Sequence, residues 1–229
     1  MNNTSHTDTS FDADIGGMRR AILSMGRLAA EQFRRAVVSV GTGDAGLVAE
    51  ILATERRVNR LHVEIDGLCA EIIAKRQPIA VDLREVIGTI HIAADLERVG
   101  DEAKKIAKKG RSIQGDSLQD VVSSMRGMAD RAADMFDRAL DALTRHDVSV
   151  AAGLAASDDE VDTLRETLTS TLVARMGSEP GCIESALNLV MIVRSIERVA
   201  DHAESIGEII VNVSEGVDLR HKSLLAATR

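Results

Sequence analysis

Asp95–Ala107 reads DLERVGDEAKKIA, and Ser195–Gly207 reads SIERVADHAESIG. The second stretch begins 100 positions after the first, and Glu, Arg, Val, Asp, Ala and Ile recur in register. A chain that writes one acidic segment twice is built on an internal duplication, and the duplication decides the fold. It extends upstream. FRRAVVSVGTGDAGLVAEI from Phe33 aligns with FDRALDALTRHDVSVAAGL from Phe136 at an offset of 103. That offset holds from Met25/Met128 to Ile73/Met176 and falls to 100 past the prolines, where AKRQPIAV faces the shorter GSEPGC. The slip lies in a connection, where deletions are tolerated.

Composition narrows what the module is made of. Of the 229 residues 45% are hydrophobic but 1% aromatic, with no Trp and no Tyr. Such a core is packed from Ala, Val, Leu, Ile and Met, as in helical proteins. Two prolines, Pro78 and Pro180, leave room for long helices. A net charge of −8 excludes a general nucleic-acid binder, which needs a basic face. The absence of Tyr and Trp removes a base-stacking surface. Cys69 and Cys182 have no zinc spacing and call for no disulfide, so a reducing compartment is the simpler reading. No run of eighteen apolar residues would span a bilayer, and the N-terminus lacks an apolar signal-peptide core. The expectation is a cytoplasmic protein without membrane insertion.

Periodicity predicts an all-α fold of six long antiparallel helices, over 16–41, 46–76, 80–110, 116–145, 148–177 and 182–214. Gly41–Gly46, the Pro78 and Pro180 regions and Gly110–Gly115 punctuate them. Short links make neighbours antiparallel, giving two tandem three-helix bundles about a pseudo-twofold axis. The expected domains are a disordered arm over 1–14, a first repeat over 15–112, a second over 113–216 and a tail over 217–229.

Carboxylates occupy positions where that pattern wants apolar side chains. Glu97 and Asp101 prolong the stripe of Leu83, Ile87, Ile90 and Ala94, and Glu197 and Asp201 follow Ile183, Leu187 and Val190. Residues four apart share a helix face. The second helix of each repeat supplies a matching pair, Glu55 with Asn59 and Asp158 with Asp162. Facing carboxylates repel, so a positive charge is expected between them. Arg98 and Arg198 are one source, although a side chain next in sequence points about 100° away. Metal ions are the other. An all-oxygen donor set suits hard cations and disfavours zinc held by Cys and His, leaving iron, Mg, Mn, Ca and, last, Zn. One ExxxD on a helix is ordinarily a solvated edge; four pairs at equivalent places make a site worth testing. Lys104, Lys105, Lys108, Lys109 and Arg111 read first as charge complementing a helix C-terminus and second as a dock for an acidic partner. Glu204 and Glu208 stand where the first repeat has Lys104 and Lys108. His91 and His202 read as packing or surface residues rather than ligands.

At these residues the chain resembles the PhoU family. Glu97-Arg98-Val99-Gly100-Asp101 and Glu197-Arg198-Val199-Ala200-Asp201 are similar to its doubled ERIGD signature. Arg57-Val58-Asn59, Glu160-Val161-Asp162, Gln77-Pro78 and Asp82-Leu83-Arg84 match its second helix and its QP…DLR turn. The resemblance implies paired three-helix bundles, often dimeric, that act in the cytoplasm with a phosphate-specific ABC transporter ATPase and a phosphate sensor histidine kinase. Such proteins hold phosphate-starvation genes off when phosphate is plentiful, and some bind metal clusters through E/DxxxD motifs. By resemblance those ligands are Glu55, Glu97 and Asp101 in the first repeat, with Asn59 departing from the acidic pattern, and Asp158, Asp162, Glu197 and Asp201 in the second. The reading is a non-enzymatic regulator. A di-iron carboxylate enzyme is the first alternative, but it needs an ExxH pair, and Gly100 and Ala200 stand three residues after Glu97 and Glu197. A metal-free structural adaptor is the second.

Overall fold

The structure, a computed structural model, describes residues 9–113 and 118–217. Seven α-helices are formed there: α1 Thr9–Ser39, α2 Ala45–Arg76, α3 Ala80–Gly110, α4 Gln119–Arg145, α5 Val148–Ala152, α6 Leu154–Ser178 and α7 Ile183–Glu215, with one 3-10 turn at Pro180–Cys182. No strand occurs among the described residues. The helices build two three-helix bundles, α1–α3 and α4–α7, joined by an extensive α3–α7 contact and a smaller one between α1 and α4.

Repeat-equivalent residues do the same local work in both halves. Asp44 caps α2 by accepting from the Leu47 N–H, and its counterpart Asp147 caps α5 by accepting from Ser149 and Val150. Phe33 and Phe136 are both fully buried. Arg34 of α1 pairs with its own repeat counterpart, Asp137 of α4. Across α3 and α7, Gly88 approaches Val213, Glu102 meets Arg198 and Asp95 meets Ser205. The two helices therefore run antiparallel, and the pseudo-twofold passes beside Gly100 and Ala200.

Two expected boundaries are corrected. Helix α1 starts at Thr9, well before residue 16, so 9–14 is not a disordered arm. Phe11, Ile15, Met18 and Ile22 recur every three or four residues and are all buried, which draws the helix back to the start of that stripe. The single helix expected over 148–177 is divided at Gly153, where the first repeat has Glu50 inside an unbroken α2. The short α5 packs on α7 at Gly207, where an added Cβ would lie 2.9 Å from the Ala151 carbonyl oxygen and 2.9 Å from Leu154 Cδ1. Ala107 fills the equivalent place in the first repeat, which has no such close approach. Residues 1–8 of the expected arm, 114–117 of the link and 218–229 of the tail lie outside the described residues.

Candidate functional site

Each repeat places its carboxylates between its second and third long helices. On α2 the buried stripe runs Val48, Ile51, Glu55, Val58, so Glu55 stands in an apolar row and is 8% exposed. On α6 the buried residues are Leu154, Val161, Leu168 and Leu172, and the partly buried Asp158 fills the gap between the first two. Helices α3 and α7 bury Leu96, Val99 and Ala103, and Ile196, Val199 and Ala203. That seating turns Glu97 and Asp101, or Glu197 and Asp201, to the flank facing the second helix.

The two sites differ in how their charge is met. In the first repeat Lys104 reaches across from α3. Its Nζ donates to Glu55 Oε1 at 2.9 Å and to Asp101 Oδ1 at 3.1 Å. Asn59 Nδ2 donates to the same Glu55 oxygen at 3.0 Å. These bonds, Glu55 first and Asp101 second, hold the Lys104 ammonium above the usual lysine range. Asn59 Oδ1 is buried with no hydrogen-bond partner among the described residues. Of the four predicted residues of this repeat, Glu55, Asn59 and Asp101 are joined through these bonds, and an ammonium stands between two of them.

In the second repeat the position of Lys104 is Glu204, a carboxylate. Arg165 of α6 lies 3.4 Å from Asp162 Oδ1 and 3.6 Å from Glu197 Oε1, shared with the neighbouring Glu166. Asp158 has no hydrogen bond or ion pair among the described residues. Burial, then the charges of Asp201, Glu204, Asp162 and Glu197, push the Asp158 carboxyl up to about 7. Glu197 is raised by burial and then by Asp201, and Asp201 by burial and then by Asp162. These groups hold protons longer than isolated carboxylates because their negative charges oppose each other in a half-buried space.

An oxygen-only donor set whose negative charges repel one another fits a hard cation in the second repeat. The first repeat does not fit as it stands, because the Lys104 ammonium already stands between Glu55 and Asp101 and bonds both. As the side chains lie, no three carboxylate, imidazole or thiol groups among the described residues are gathered closely enough to close on an ion.

Arg98 and Arg198 form no ion pair with these site carboxylates among the described residues, although the Arg198 charge favours ionised Asp201. Arg98 Nη1 lies 3.4 Å from Asp95 and Arg198 Nη1 3.4 Å from Glu102, both at the α3–α7 seam. There the buried Asp95 accepts from Ser205 Oγ at 2.8 Å and meets His202 Nδ1 at 3.1 Å, while Lys105 bonds Glu102 at 2.7 Å. The lysine cluster therefore divides. Lys104 enters the carboxylate site, Lys105 serves the seam, and Lys108 and Lys109 line a surface groove with Met191, Arg194, Ser195 and Arg198.

The fold and its paired sites define a class: an all-α protein of two tandem three-helix repeats, each presenting acidic residues from its second and third long helices. The family model described as the PhoU domain matches residues 22–110 and again 125–210. The chain belongs to the PhoU family. It is 34% identical over 227 residues to the phosphate-specific transport system accessory protein PhoU homolog of Pseudomonas putida, covering 98% of this chain and 88% of that one. It is 31% identical to the corresponding accessory protein of Escherichia coli (strain K12), covering 96% and 92%. The crystal structure of PhoU from Pseudomonas aeruginosa superposes with a TM-score of 0.84 at 32% identity, covering 90% of this chain and all of that one. The phosphate transport system regulatory protein PhoU from Streptococcus pneumoniae shares the fold, with a TM-score of 0.82 at 24% identity. Among the described residues no helix is long and apolar enough to cross a membrane.

Proposed function

We propose that this chain is a non-enzymatic regulator of phosphate uptake and signalling. It works in the cytoplasm, as a homodimer, with a phosphate-specific ABC transporter ATPase and a phosphate sensor histidine kinase. With phosphate plentiful it keeps the kinase from switching on phosphate-starvation genes. One observation carries the reading: both repeats match the PhoU domain, and the chain matches accessory proteins of the phosphate-specific transport system over nearly their whole length. The di-iron alternative finds no support in the local chemistry. Gly100 and Ala200 hold the positions that would need imidazoles, and the nearby His202 ring is engaged by Asp95.

Deleting the protein should leave a phosphate-starvation reporter active in phosphate-rich medium, and restoring it should silence the reporter. Affinity capture from cells grown in high and low phosphate should recover the transporter ATPase or the kinase. A reporter that stays fully repressible in the deletion strain, with no second copy encoded, would refute the regulatory reading.

The second repeat is proposed to hold a hard divalent cation through Asp158, Asp162, Glu197 and Asp201. Their side chains lie on a half-open flank, so rotation of a few exposed torsions would gather the oxygens. A cation there supplies positive charge between α6 and α7, which otherwise face each other with mutual repulsion.

A further inference from the structure

We propose that Lys104 is the resident cation of the first repeat, standing in place of a metal ion, so that the chain takes up a divalent cation in its second repeat only. The proposal deepens the cation reading of the second repeat and rests on it for that half alone.

The geometry is specific. One ammonium bonds a carboxylate on α2 and another on α3 at 2.9 and 3.1 Å. It joins the same two helices that a bridging ion would join. Glu55 is buried in the apolar row of α2, where a carboxylate left without a partner is costly to desolvate. Asn59 adds its amide to the same Glu55 oxygen, contributing a donor where an ion would need an acceptor. Its own oxygen is buried with no hydrogen-bond partner among the described residues.

Charge decides against a metal in this half. Glu55, Glu97 and Asp101 oppose Lys104, a formal balance of −2. In the second repeat Asp162 and Glu197 share Arg165, with Arg194 and Arg198 acting on Glu197 and Asp201 from further off, and Asp158 has no ion pair among the described residues. A divalent ion entering the first site would meet a fixed positive charge at ligand distance from its own donors. To admit the ion, Lys104 would have to leave two carboxylates, one of them buried. In the second repeat the same position is anionic, and the cation at hand, Arg165, is shared among three carboxylates. The consequence is a division of labour. The α2–α3 pair is tied whether or not metal is present, and only the α6–α7 pair tightens or loosens with metal supply.

The test is a Mn2+ titration of the full chain stripped with chelator, read as ions bound per chain and as Tm with and without the ion. Wild type should bind one ion. K104E should bind one more and gain a larger Mn2+-induced rise in Tm. E204K should lose the wild-type site and melt at the same temperature with and without Mn2+. K104Q, a gentler change, should melt roughly 2–4 °C below wild type in chelator, since it strips the buried Glu55 of its partner. It should recover more of that loss with Mn2+ than wild type gains. Wild type binding two ions would overturn the proposal, and so would K104E and K104Q that neither bind an extra ion nor respond to Mn2+ beyond wild type. Wild type binding none while K104E binds one would sink the cation reading of the second repeat and leave the role of Lys104 standing.

Discussion

Asp158→Asn should stabilise the metal-free protein, and increasingly so as pH rises. The carboxyl sits at about 7 in the folded chain against an ordinary 3.8. Between those values the folded state keeps a proton that the unfolded state releases. Native protein binds more protons there, so stability falls as pH rises through that window, and the loss is complete above about pH 7. A shift of roughly three units corresponds to about 4 kcal/mol with no screening. The group is partly exposed to water, whose screening reduces the figure to about 1–2 kcal/mol. Glu197 and Asp201 are shifted the same way and add to the slope. The Asn variant keeps the shape and has nothing to lose at this position. In urea unfolding with EDTA, its advantage over wild type should grow from about 0.5 kcal/mol near pH 5 to about 1–2 kcal/mol near pH 8, or roughly 2–6 °C in Tm. Saturating Mn2+ at pH 8 should narrow or reverse that gap, because the ion binds the charged carboxylate and stabilises the native state by mass action. Parallel stability profiles of wild type and variant from pH 5 to pH 8 in EDTA would show that Asp158 is not under the strain assigned to it.

Combining E197Q with D201N should raise Tm in chelator and abolish the Mn2+-induced rise; a double variant that melts higher than untreated wild type would falsify the metal assignment. D95A removes the acceptor that His202 and Ser205 share at the buried seam and should cost about 1–3 kcal/mol, measured by urea unfolding; a change within error would mean that water replaces the bonds freely. G207A puts a Cβ within 2.9 Å of the Ala151 carbonyl oxygen and should destabilise by about 1–3 kcal/mol. G127A, in open space on α4, should instead stabilise by about 0.5–1 kcal/mol, and equal effects of the two changes on Tm would argue against the close α5–α7 approach.

The fold was legible because a duplicated pattern is checked twice within one chain. Helix boundaries set by Gly41–Gly46 and the two prolines came out within a few residues of those expected. The start of α1 was misplaced although its signal was present: Phe11 lies four residues before Ile15, and only the polar residues around it suggested an arm. The break at Gly153 was harder to read. A glycine inside a helical pattern is tolerated in itself, and the break here accompanies the packing of Ala151 and Leu154 on Gly207, contacts between residues 56 and 53 positions apart. The seam residues Asp95, Glu102, Arg198, His202 and Ser205 were out of reach for the same reason, since they meet only through the antiparallel register of α3 and α7.

The carboxylate sites show where sequence reasoning stopped one step short. Spacing of four placed Glu97 with Asp101 and Asp158 with Asp162 on the correct faces. It also posed the right electrostatic question, namely what positive charge stands between them. Lys104 lies three residues after Asp101, a spacing that shares a helix face as surely as four does. Its grouping with Lys105, Lys108 and Lys109 made it look like charge gathered at a helix end. The reversal to Glu204 was visible as a difference in sign between two otherwise matching segments. A duplicated site whose counter-ion is kept as a side chain in one copy and exchanged for a carboxylate in the other cannot respond to metal equally in both. On the proposed cation reading the sensitive half is the one that contains Asp158, whose carboxyl burial and neighbouring negative charges push up to about 7.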